Sequence, residues 1–162
     1  MGIEDWEANG WVVPHVAARE EVTELLAAVE VDIETAMATV APAWRFAIAY
    51  TAALRLCTLA LNASGHRASG DRKHYRTIAA LPLVTGGWAR DTADYLEQCS
   101  RKRHEVTYES VGGVSGEEAD ELVGAVRELR GEVVDWLRRE HPAFAPQASR
   151  SSETSDRRGA RT

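Results

Sequence analysis

Between Arg19 and Val40 the apolar residues Val22, Leu25, Leu26, Val29, Ile33, Ala36, Met37 and Val40 recur at intervals of one, three or four positions. An apolar stripe with a period of about 3.6 residues fits one face of a helix and does not fit the two-residue alternation of a strand. This spacing therefore predicts an amphipathic helix, ended by Pro42. The pattern returns in three further stretches. From about Ala43 to Ala63, Trp44, Ala47, Tyr50, Leu54, Cys57 and Leu61 share a face, and the breadth of the apolar stripe marks a central, well-covered helix. The stretch S-G-H-R-A-S-G-D-R-K reads as a turn. A third helical segment opens near Arg72, with Asp71 as a candidate N-cap, and is interrupted by Pro82 and Gly86-Gly87. It resumes from about Trp88 to Val106, with Tyr95, Leu96, Cys99, Arg103 and Val106 in register. Ser115 followed by Glu118 forms the signature of a capping box. It opens a last helix in which Ala119, Leu122, Val126, Leu129, Val133 and Trp136 repeat before Pro142 stops it.

No strand-like alternation is read anywhere. Four long helices with short connections predict an all-α fold, an antiparallel four-helix bundle with a broken third segment. Residues 1–18 are expected to be an extended lead-in that docks by Trp6 and Trp11, and residues 19–142 the bundle. Residues 143–162 are expected to be a disordered tail, because past Phe144 nothing apolar larger than alanine remains to offset the entropy of ordering. No apolar stretch is read as long enough to span a bilayer, and the N-terminus shows no basic and apolar leader, so a cytoplasmic protein without a membrane partner is expected. Cys57 and Cys99 fall on helix faces and read as buried free thiols. No Cys/His spacing resembles a metal site, and neither a metal nor a cofactor is expected.

The net charge of −6 is unevenly spread: residues 1–40 hold nine acids against one base, whereas residues 45–110 hold ten Arg and Lys against six acids. The locally basic middle keeps a polyanionic partner open. Its charge gathers in two places. Arg101, Lys102, Arg103 and His104 are consecutive, with Tyr108 five residues after Arg103, and Arg67, Arg72, Lys73, His74 and Arg76 cluster with His66 around the turn. A basic last turn also answers the negative end of a helix dipole, so the first cluster has a purely structural reading beside that of a phosphate site.

The order of these features carries a resemblance: a long acidic first helix, A-Y-T-A-A-L-R-L, then G-H-R-A-S-G-D-R-K-H-Y-R-T-I, then R-K-R-H-E-V-T-Y, a glycine turn and a capped last helix. Over roughly residues 19–140 the chain resembles the HEPN superfamily, helical proteins of prokaryotic toxin–antitoxin and defence systems. The resemblance implies a metal-independent RNA-cleaving site made of an arginine followed after four to six residues by a histidine, two such sites meeting across a homodimer. On this chain the arginine falls on Arg103, the histidine position on Tyr108, and the polar residue after the arginine on His104. Tyr108 departs from the pattern, since a phenol with a pKa of about 10 is a poor proton acceptor where an imidazole of about 6.5 serves. Catalysis is thus assigned to Arg103, His104 and Tyr108, with Arg101, Lys102, Arg67, His74 and Arg76 as RNA contacts. Arg67 and His74 also satisfy the spacing literally. The alternative is a non-catalytic module that binds a partner protein such as a cognate nucleotidyltransferase-like antitoxin. A third reading is a small-ligand pocket lined by Tyr50, Tyr75 and Tyr95.

Overall fold

The computed structural model describes residues 1–109 and 113–147, the side chains of residues 105–109 excepted. Among the described residues there are six α-helices: α1 Ile3–Ala8, α2 Arg19–Ala38, α3 Pro42–Ala63, α4 Lys73–Thr85, α5 Arg90–Glu109 and α6 Gly116–Glu140. The all-α expectation holds in its coarse form.

Helix α3 is the axis of the molecule. It packs most extensively on α2 and α6, and also on α4 and α5. Its broad apolar stripe explains why: Phe46, Ala49, Tyr50, Ala53, Leu56, Cys57 and Ala60 are all buried, and small alanines let neighbouring helices approach from several sides. By length and composition α3 is also long and apolar enough to cross a bilayer, which corrects the reading of the sequence; 67% of that apolar window is buried by the rest of the fold. Trp136, Leu122, Leu129 and Val133 of α6 and Val22, Val29 and Ile33 of α2 complete the core. Trp44, expected on the apolar face of α3, is 68% exposed instead.

Two regions depart from expectation. The chain before α2 is not simply extended: α1 is followed by the strand β1, Val12–Pro14, which pairs antiparallel with β2, His66–Ala68, inside the stretch read as a turn. Three-residue strands are too short to leave a period in the sequence. Trp6 and Trp11 meet edge to face, and Val12 is fully buried against Leu61 and Ala80. The other departure is at Pro82, which does not interrupt α4. The helix runs on to Thr85 and breaks at Gly86, whose φ of 125° suits glycine alone, before a 3-10 turn over Gly87–Ala89 leads into α5. The cap of α4 is Arg72 rather than Asp71. At the other end, Pro142–Phe144 form a 3-10 turn, and Phe144 and Ala145 pack on the core, so order continues past the expected start of the tail; residues 148–162 lie outside the described residues.

Candidate functional site

Helices α4 and α5 are joined by the short Gly86–Ala89 break and lie side by side, so the start of α4 faces the second half of α5. This brings together the two basic clusters that lie about thirty residues apart in sequence. An inner recess of about 430 Å³ is lined by Arg72, Tyr75 and Ile78 on one side and Glu97, Ser100 and Arg101 on the other. An outer recess of about 780 Å³ shares Arg72 and Tyr75 and adds Lys73, His74 and His104, with the Gly70–Asp71 loop at its edge. The two recesses form one groove. Its walls carry the cations Arg72, Lys73 and Arg101 and the imidazoles His74 and His104 against the carboxylates of Asp71 and Glu97.

Tyr75 stands at the junction of the recesses, 45% exposed, with the Arg72 guanidinium 4.5 Å from its ring centroid. A large aromatic held in a cation–π contact yet open to solvent is a ready stacking surface. In the sequence Tyr75 stands out only as a wall of a pocket shared with Tyr50 and Tyr95, because nothing in its own segment shows that α5 supplies the opposite wall.

Not every residue assigned from sequence reaches the groove. Arg76 turns away, donating to the Ser69 carbonyl at 2.6 Å and lying over the Trp11 ring at 5.7 Å. Gly70 makes room for it, since a Cβ there would sit 2.8 Å from Arg76 Nη1. Ser69 also donates its hydroxyl to the Gly10 carbonyl at 2.6 Å. Arg76 therefore fastens the β2–α4 loop to the N-terminal segment. Arg67 lies exposed on β2, opposite Val13, outside the groove lining. Lys102 pairs with Glu118 of α6.

Arg103 is half-buried, with its guanidinium 4.9 Å from the ring centroid of Tyr50, which is itself buried in the core. Burial raises the Tyr50 phenol above its ordinary range, while its hydrogen bond with Ser100 and the Arg103 charge pull it back. Ser100 thus joins the lining of the inner recess to the Tyr50 ring under Arg103. Tyr108 belongs to α5 by its backbone, and its side chain is outside the described residues. The three tyrosines of the small-ligand reading sit in different places: Tyr50 is in the core, Tyr75 in the groove, and Tyr95 lines a recess with Cys99 and Phe46 between α3, α5 and α6. Among the described residues no group of three or more His, Cys, Asp or Glu side chains is placed to hold a metal ion.

The SAV_6107-like HEPN family matches residues 36–134, more than half of the chain and the span that contains α3, α4, α5 and the first three quarters of α6. The chain belongs to the HEPN superfamily. Compared with curated proteins and with solved structures, it finds no match. The groove lies wholly inside the HEPN span, whereas α1 and β1, which clasp β2, lie outside it. Of the residues that the sequence resemblance places at the motif, Arg103 rests on Tyr50 and His104 lines the outer recess.

Proposed function

We propose that this HEPN protein binds single-stranded RNA along the α4–α5 groove and cleaves it there, as a cytoplasmic component of a prokaryotic toxin–antitoxin or defence system. The observation that carries this reading is the meeting of Arg72, Lys73, Arg101, His74 and His104 around the exposed ring of Tyr75. Single strands are held by cationic grooves that follow the phosphates and by aromatic faces on which bases stack, each stack contributing about 1–3 kcal/mol. Membership of the superfamily supports an RNA-related or defence role.

The same groove offers a route to cleavage. His74 from α4 and His104 from α5 line one recess with Arg72 and Lys73. One imidazole takes the proton of a ribose 2′-hydroxyl as its oxygen bonds to the adjacent phosphorus. The phosphorus–O5′ bond then breaks, the second imidazole protonates the departing oxygen, and a 2′,3′-cyclic phosphate and a 5′-hydroxyl remain. The cations offset the charge that gathers on the phosphorane. Histidines on two helices of one protomer would fill the role for which Tyr108 is chemically unsuited.

End-labelled RNA incubated in chelator with wild type, His74→Gln and His104→Gln tests this. The reading expects cyclic-phosphate products from wild type, a bell-shaped pH profile, and a loss of at least about a hundredfold in each variant. Equal traces of cleavage in all three would reject it.

The second reading, a module for protein partners, is favoured by the corner between α2 and α3. There Met37, Val40 and Trp44 are 55%, 85% and 68% exposed, while Arg45 fixes the backbone by donating to the Thr39 carbonyl at 2.9 Å and pairing with Asp120. A held apolar corner of this kind suits a second copy of the chain or a cognate antitoxin. Sedimentation of wild type and Trp44→Ser separates these uses: a dimer lost in the variant assigns the corner to self-association.

A further inference from the structure

Resting on the RNA reading of the groove, we propose that its inner recess is a guanine pocket and that Glu97 reads the base. The recess has an apolar floor at Ile78, an aromatic wall at Tyr75 and a volume of about 430 Å³, enough to admit a planar base. Its cations Arg72 and Arg101 suit a phosphate, yet a half-buried carboxylate, Glu97, stands among them. A site for phosphate alone gains nothing from an anion in its lining, since it repels the ligand. An anion beside an aromatic wall points to a ligand that carries hydrogen-bond donors as well as phosphate.

The chemistry of the four bases then decides the ligand. A carboxylate only accepts hydrogen bonds, through two oxygens side by side. Guanine alone presents two adjacent donors on its pairing edge, N1–H and the N2 amino group, and both oxygens are satisfied at once. Adenine and cytosine each place a ring-nitrogen acceptor beside their amino group, and uracil flanks N3–H with two carbonyls. Each of these sets a lone pair against the carboxylate. With the base stacked on Tyr75, Arg101 and Arg72 are left for the flanking phosphates and Ser100 supplies a hydroxyl at the recess wall.

Fluorescence anisotropy on the full chain tests the proposal, with short uridine oligonucleotides carrying one central G, A or C, an all-uridine control, and GMP as competitor. The G-containing RNA is expected to bind at least about tenfold tighter than the other three. Glu97→Gln, which offers one acceptor and one donor in place of two acceptors, is expected to remove that advantage. GMP is expected to displace the G-containing RNA far less well than an unlabelled copy does, because it carries only one of the two flanking phosphates and no neighbouring nucleotides. Displacement by GMP as strong as by the oligonucleotide would uphold the base pocket and overturn RNA as the source of the base. Equal affinity of wild type for all four RNAs would overturn the guanine pocket and leave RNA binding standing. Absence of binding to any RNA and to GMP would overturn both.

Discussion

The guanidinium of Arg103 lies on the ring of Tyr50, which is sealed in the core, so this side chain is structural whatever it contributes to RNA. Removing it forfeits a partly desolvated cation–π contact. Arg103→Ala is therefore expected to lower stability by about 1 kcal/mol, read from the midpoint of urea unfolding. The buried thiols and phenols make a second prediction at this scale. Burial pushes the Cys57 thiol up to about 12 and also raises Cys99, Tyr95 and Tyr50. All four are acids whose protonated form the fold favours, so above the unfolded thiol pKa the folded chain holds more protons than the unfolded one. Their contribution is complete below about pH 9 and is lost as pH rises through the folded values. Stability should fall between about pH 9 and 12, and less steeply in Cys57→Val. Alkylation with iodoacetamide at pH 8 should leave Cys57 unmodified in the native protein and modify it fully in denaturant, as read by mass spectrometry.

Among the elements, α6 shows the clearest passage from sequence to structure. Ser115 accepts from the Glu118 amide at 3.1 Å, as the capping signature requires, but the return arm differs: the Glu118 carboxylate takes the Ser115 hydroxyl and Lys102 instead of the Ser115 amide. Ser115→Ala should cost about 1 kcal/mol with an unchanged denaturant slope. The long helices were legible because apolar periodicity is a property of each segment alone, and Gly86 could be placed because its backbone angle excludes other residues. Strands β1 and β2 were not legible. They pair across more than fifty residues, and their stability comes from Val12 packing on Leu61 and Ala80 and from Arg76 lying over Trp11. Pro82 misled for a related reason, since packing on the core carries α4 past a residue that propensity alone would make a stop.

For the molecule as a whole, the sequence revealed the helical class and both basic clusters but not their union. Arg101 and His104 were read as one end of a helix, and His74 as part of a turn; the α4–α5 pairing sets them around a single groove and sends Arg76 elsewhere. Glu97 carries no signal in the sequence, and Tyr75 enters only as part of a pocket with Tyr50 and Tyr95, because an aromatic and an acid on helix surfaces are ordinary until the facing wall is known. The claim on which the functional account depends is that this groove, and not the net-acidic surface at large, holds RNA. The most direct measurement is the salt dependence of binding to a short single-stranded RNA by wild type, Arg72→Ala and Arg101→Ala. If each arginine holds one phosphate, each variant should bind more weakly, and the slope of log K against log salt should be shallower by about 0.7. Affinities and slopes that match wild type in both variants would contradict the account.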